Sequence, residues 1–285
     1  MQGIISRVAG GVFIAISSGN KYRLHSPGKI KSRSKLVVGD RVIFEKEGED
    51  YVIKDMLPRK NTFERPQAAN IDIFLIAASI KEPDFDAILT DKMTVYSYMS
   101  NTEPVIVFTK ADLDKNKAIE LARAYDNIGI KTFLSNLNQD DYSDMVDYFK
   151  DKIVLSVGNS GVGKSTLLNQ IKNENIQKTS EISQSLGRGK HTTRHVEIFN
   201  MDGFYLIDTP GFASLELNFL NEGKRLSDYF PEFRKYSCKF NTCEHINEPN
   251  CGVKKALVNG NILESRYKSY LQLKDELNKL EERRW

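Results

Sequence analysis

The amino-acid sequence predicts a multidomain chain. An N-terminal OB-type β-barrel comes first, then an α/β unit with a mostly parallel sheet, then a helical C-terminal unit that holds a metal. Three observations carry this. Five short apolar segments crowd into the first 60 residues. Apolar strands alternate with helical stretches from about 70 to 207. All three cysteines lie within 14 residues, at Cys238, Cys243 and Cys251. A chain of 285 residues has room for about two domains at ~150 residues each.

The composition excludes several classes. Hydrophobic residues make up 40% and charged residues 28%, which fits a soluble globular protein and not a disordered or fibrous one. The longest apolar stretch without a charge, residues 8–18, is far short of the ~20 residues a membrane span needs. It contains Gly10-Gly11 and lacks a small-residue cleavage site, so it reads as strand-turn-strand and not as a signal peptide. The expected compartment is the cytoplasm, with no membrane partner. Net charge is +3, divided as +6 over residues 1–62, −6 over 63–150 and +3 over 151–285. The basic excess at the N-terminus points to an anionic partner there, such as nucleic acid.

In the first unit, segments 3–8, 12–16, 22–24, 41–44 and 51–53 are separated by turns at Gly10-Gly11, Ser18-Gly19-Asn20 and Glu47-Gly48. Five short strands with such turns suit a small closed barrel. Residues 21–35 hold six Lys/Arg and no acid, a candidate RNA surface. In the second unit, strands are expected at 71–78, 105–108, 131–134, 153–157, 195–199 and 204–207, with helices near 85–100 and 115–128. Apolar strands in alternation with helices read as a sheet covered on both faces. In the third, Leu263, Tyr267, Tyr270, Leu273, Leu277 and Leu280 recur at helical spacing over 262–285.

Gly158-Asn159-Ser160-Gly161-Val162-Gly163-Lys164-Ser165 matches G-x-x-x-x-G-K-[ST]. The glycines let successive N–H groups face phosphate oxygens. Lys164 neutralises the terminal phosphates, Ser165 offers a magnesium ligand, and the helix from Thr166 adds its N-terminal dipole. Asp208-Thr209-Pro210-Gly211 at the end of an apolar strand supplies a second element. Asp208 can hold magnesium through water, and the Gly211 N–H can meet the γ-phosphate. Thr109-Lys110-Ala111-Asp112, also at a strand end, supplies a third. A carboxylate at Asp112 accepts from N1–H and N2–H₂ of guanine. Adenine has neither donor and would leave the charge unsatisfied, so the pattern selects GTP over ATP. The base-reading element precedes the phosphate loop, the reverse of the order in Ras-like GTPases. A circularly permuted chain can still bring the strands to the same places in a sheet.

The permuted order, the N-terminal barrel and the cysteine cluster together resemble the RsgA (YjeQ/YloQ) family of GTPases that depend on the small ribosomal subunit, over essentially all 285 residues. The resemblance implies a cytoplasmic bacterial GTPase that acts late in 30S assembly, is stimulated by that subunit and has the subunit and its 16S rRNA as partners. Thr109 stands where Ras-like proteins have Asn. Ser135-Asn136 takes the place of the usual Ser-Ala loop that touches guanine O6. Phe212 follows Gly211 where a Gln would orient water. The Gly-rich basic stretch 187–194 is placed like a switch loop. Thr192 or Thr193 could reach the magnesium, and the resemblance suggests that His191 orients the attacking water. The other reading of His191 is a solvated loop histidine.

Cys238-x₄-Cys243-x-His245-x₅-Cys251 supplies three thiolates and an imidazole, suited to one closed, structural zinc ion. The last 70 residues show little apolar material for a core, so the metal would contribute to their folding. The expected division is a barrel at 1–62, a permuted GTPase at 63–215 and a zinc-bearing helical unit at 216–285. The expected protein is a monomer that binds GTP/GDP, Mg²⁺ and Zn²⁺. Two other readings are a nucleotide-regulated RNA-binding module with negligible hydrolysis, and a GTPase serving a protein partner outside the ribosome.

Overall fold

The computed structural model describes residues 1–9, 11–26, 35–136, 142–176, 196–201, 203–208, 220 and 223–282. Strands β1 (Gln2–Ala9), β2 (Val12–Ser17), β3 (Asn20–His25), β4 (Arg41–Glu47) and β5 (Asp50–Met56) close a barrel in the order β1-β2-β3-β5-β4. All five predicted strands are present. Period-2 patterning sends Ile5, Phe13, Ala15, Leu24, Val42, Phe44 and Ile53 inward to a common core.

The segment between β3 and β4 docks the barrel on the rest of the chain. Gly39 sits at φ +90°, and a Cβ there would stand 2.0 Å from the Ala69 carbonyl oxygen, so only glycine fits. Buried Asp40 accepts from the Val37 amide at 2.7 Å and from Arg59 Nε and Nη2 at 2.7 and 2.8 Å. A short ladder of β6 (Thr62–Phe63) and β7 (Ala68–Ala69) follows. The sequence gives no sign of it, since two-residue strands have no period to detect.

The central sheet contains β8 (Ile73–Ser79), β9 (Glu103–Thr109), β10 (Lys131–Leu134), β11 (Ile153–Val157), β12 (Ile198–Asn200) and β13 (Tyr205–Asp208) in the order β10-β9-β8-β11-β13-β12. Every neighbouring pair is parallel except β12 with β13. The expected strand at 195–199 is observed as β12, starting three residues later; His195 lies outside the described residues. Along fully buried β8, Phe74, Ile76 and Ala78 join one core layer, while Ile73 and Leu75 join the other. Helices α1 (Ala87–Met99) and α2 (Lys115–Asn127) bring Met93, Ala118 and Tyr125 to the first layer. Helices α3 (Ser143–Phe149) and α4 (Lys164–Ile176) bring Met145, Phe149, Leu167, Leu168 and Ile171 to the second. The barrel reaches this sheet through an antiparallel bridge between Arg7 of β1 and Glu197, just ahead of β12.

The C-terminal unit holds two 3₁₀ turns, Leu226–Tyr229 and Pro231–Lys235, then α5 (Gly252–Val258) and α6 (Glu264–Glu282). The expectation that it has little core is corrected. Phe230, Phe233, Val253, Ile262, Tyr270, Leu273 and Leu277 are buried together, and Val95 of α1 completes the cluster. The apolar residues are scattered over short elements, so their density along the sequence understates their density in space.

Arg266 of α6, 1% exposed, joins this unit to the sheet domain. It donates to Asp91 of α1 at 2.6 Å and to Glu232 at 2.8 and 3.2 Å, and its guanidinium lies 4.6 Å over the Phe230 ring. Tyr125 of α2 donates to the same Asp91 oxygen at 2.6 Å. Burial pushes the Asp91 carboxyl above its usual range, opposed by the Arg266 charge. Removal of Arg266 leaves two buried carboxylates without a counter-charge. Arg266→Ala is expected to cost about 3–5 kcal/mol of stability in urea unfolding at pH 7. A raised carboxyl pKa makes the folded state more stable when protonated, so the deficit of the variant should shrink as pH falls towards 5.

Candidate nucleotide-binding site and metal centre

Strand β11 runs directly into the glycine loop, and α4 starts at Lys164. At Gly158 the backbone takes φ +154°, and a Cβ would stand 2.8 Å from the Ala77 carbonyl of β8. The loop therefore folds tightly over the sheet edge, where its amides and the first turn of α4 form an anion cradle. Ser160, Gly161, Ser165 and Thr166 are exposed along it, while Val162 is buried beneath. Lys164 Nζ meets Asp208 Oδ1 at 2.7 Å, with the lysine side chain 10% exposed. The pair follows from strand pairing, since Ser156 of β11 lies opposite Asp208 of β13.

The Thr109-Lys110-Ala111-Asp112 segment stands on the far side of β8. Thr109 ends β9, Lys110 turns the chain at φ +52°, and Ala111–Leu113 form a 3₁₀ turn that leaves Asp112 exposed. The buried Thr109 hydroxyl donates to the Val162 carbonyl in the glycine loop, and Lys110 Nζ donates to the Glu82 carbonyl. The Ala111 amide donates to the Ser135 carbonyl at 3.0 Å. Beside these contacts lies a cleft of about 210 Å³, lined by Thr109, Lys110, Asp112, Asn136, Gly163 and Thr166.

In the C-terminal unit the three Sγ atoms and one imidazole nitrogen of Cys238, Cys243, His245 and Cys251 lie within 4.8 Å of one another. His245 Nδ1 stands 3.4, 3.5 and 3.4 Å from the sulfurs of Cys238, Cys243 and Cys251, and the sulfurs of Cys238 and Cys251 are 3.8 Å apart. Tetrahedral zinc with Zn–S arms of ~2.3 Å requires S···S edges of ~3.8 Å and slightly shorter S···N edges. The donor set and its spacing fit that ion. Burial, with the Arg225 charge nearby, pushes the His245 imidazole below its usual range and keeps it neutral, the form that ligates. The Gly252 amide, at the start of α5, donates to Cys238 Sγ at 3.3 Å, and Tyr267 of α6 donates to the His245 carbonyl at 2.6 Å. Such outer contacts orient the ligands.

A family model described as RsgA GTPase matches residues 56–218. The chain belongs to the RsgA GTPase family. It is 40% identical over 97% of its length to a Listeria innocua protein named small ribosomal subunit biogenesis GTPase RsgA 2, covering 97% of that protein. It is 39% identical to a Caldanaerobacter subterraneus protein named small ribosomal subunit biogenesis GTPase RsgA, with coverage of 100% and 98%. Among solved structures, YloQ, a circularly permuted GTPase, superposes with a TM-score of 0.82 at 30% identity, covering 98% of this chain and 95% of that one. YjeQ from Thermotoga maritima gives 0.82 at 33% identity, with coverage of 97% and 98%.

For this RsgA-family GTPase, the structure brings Asp112, Gly163 and Thr166 to one cleft and sets Lys164 beside Asp208. Gly211, His191, Thr192 and Thr193 lie outside the described residues, as does Phe212. Thr109 stands where Ras-like proteins have Asn; in the fold its hydroxyl straps the end of β9 to the glycine loop. Two further residues of the cleft region, Tyr142 and Gln170, give no signal in the sequence because their partners come from different elements. Zinc analysis of the purified chain should give one ion per molecule. Cys243→Ser should abolish it and lower the melting temperature by roughly 10 °C or more, as expected where a structural metal contributes folding energy.

Proposed function

We propose that the protein binds GTP across the cleft between Asp112 and the glycine loop, hydrolyses it to GDP and phosphate, and acts on the small ribosomal subunit during its late maturation. One observation carries the nucleotide reading: two motifs in reversed chain order line a single cleft, Asp112 from one and Gly163 from the other, with Thr166 just after it. In this reading Asp112 accepts from guanine N1–H and N2–H₂. The amides of Gly158 to Gly163 and the Lys164 ammonium hold the phosphates, and the Gly211 N–H meets the γ-phosphate. Lys110 lines the same cleft, and Asn159 and Ala111 belong to the two motifs that border it. Ser165 and Asp208 would hold magnesium, with Thr192 or Thr193 joining them; when bound, the ion spreads the charge that develops on the phosphate oxygens. His191 orients the attacking water, since Phe212 cannot.

The relatives' names place them in small-subunit biogenesis, which supports the same role here. Lys21 and Arg23 are exposed on β3, which supports rRNA contact by the barrel. The reading includes the three-part division at 1–62, 63–215 and 216–285, with Cys238, Cys243, His245 and Cys251 holding one zinc ion. It also includes work as a cytoplasmic monomer; among the described residues no helix is long and apolar enough to cross a membrane.

Phosphate release from GTP and from ATP, measured alone and with purified 30S or 50S subunits, tests it. Stimulation of GTP turnover by 30S alone is expected. Equal use of ATP would sink the base assignment, and indifference to 30S the partner. His191→Ala should abolish the stimulated turnover while GTP still binds; surviving turnover would move the role to another residue.

A further inference from the structure

The loop that follows β10 is tied to α4 by side chains that neither motif contains. Ser135 is fixed first by its backbone: its amide donates to the Phe108 carbonyl at 2.9 Å and its carbonyl accepts from the Ala111 amide. Its hydroxyl lies 2.9 Å from the phenol oxygen of Tyr142, which is 2% exposed. The Tyr142 hydroxyl donates to Gln170 Oε1 at 2.8 Å, and Gln170 Nε2 donates to the Asn136 carbonyl at 3.3 Å.

The Tyr142 hydroxyl also lies 3.5 Å from the Asn136 carbonyl. Both of these oxygens only accept, so with the Tyr142 proton on either of them Ser135 is the donor to Tyr142. The bonds start on Ser135 and return to Asn136, its neighbour. They form a closed circuit in a partly buried setting, where each bond polarises the next. Gln170 is one turn beyond Thr166 on α4, and both side chains line the cleft.

We propose that Gln170 is a positioning residue for guanine recognition. Through Tyr142 it holds Ser135-Asn136 against the helix that carries Lys164, so that the backbone of these two residues meets the O6 edge of the base. The inference rests on the nucleotide reading above and deepens it. Asp112 reads the N1 and N2 edge, whereas the Gln170 circuit sets the O6 edge. The two halves of guanine selection then depend on different residues and can be separated.

The test uses the full chain, GDP, and 6-thio-GDP, in which sulfur, a poor acceptor, replaces O6. Equilibrium affinities are measured for wild type, Gln170→Met, Tyr142→Phe and Asp112→Ala, with a thermal melt for each. Gln170→Met keeps the length of the side chain and removes both hydrogen bonds. It is expected to weaken GDP about tenfold and 6-thio-GDP about twofold or less, so the preference of wild type for the oxygen collapses. Tyr142→Phe should move the ratio in the same direction. A general loosening would weaken both nucleotides equally, and that outcome, or no change in either, overturns the inference. Asp112→Ala should weaken both strongly. If it leaves both unchanged, the site reading itself falls; if it behaves as expected while the Gln170→Met ratio holds at the wild-type value, only the positioning role falls.

Discussion

The position of β8 is the constraint on which the rest depends. It pairs in parallel with β9 on one side and β11 on the other, with Ser79 opposite Thr109 and Ile76 opposite Val157. Adjacent strands lie ~4.8 Å apart, so the strands that end in the base-reading turn and the glycine loop are separated by roughly 10 Å. Parallel pairing brings both ends to the same edge of the sheet. That spacing is a matter of backbone hydrogen bonding and is indifferent to which strand comes first in the chain. A permuted connectivity therefore costs the site nothing, and ligand binding at the carboxyl ends of the strands follows the general rule for open α/β sheets.

Around this frame, single contacts prevent the parts from moving independently. Thr109 fastens the strand that leads to Asp112 to the glycine loop. Arg59 and Asp40 fasten the barrel's connecting segment, and Arg266 fastens α6 to α1 and α2. Each of the two ion pairs is buried on at least one side. Such pairs add little net stability over an apolar substitute, but they tolerate only one geometry, because any slip strands a charge in a low-dielectric interior. Their value here is definition of the arrangement.

The sequence makes the phosphate loop, the Asp112 turn and the Cys/His cluster legible because their chemistry is local: a few residues at fixed spacing do the work. The five barrel strands are legible because one-sided burial imposes a period of two, and the central sheet strands because burial on both faces leaves short unbroken apolar runs. Helices α3 and α5, at seven residues each, are too short for periodicity to stand out from background. Arg266 sits among Glu264, Lys268 and other charges on α6 and reads as one more solvated residue. Its partner Asp91 is 175 positions away, a separation across which no local pattern carries information. Tyr142 and Gln170 are hidden for the same reason.

The bridge between Arg7 and Glu197 has a consequence for how this molecule keeps company with copies of itself. Strand β12 is the last in the sheet order and only three residues long. A free border of this kind is a template on which a second chain can lay a strand and begin a polymer. Here the barrel's first strand already leans against it, with Ile4, Val8 and Val196 packed on the same apolar layer. The chain thus shields its own vulnerable flank, with the domain that carries the positive charge standing guard over it.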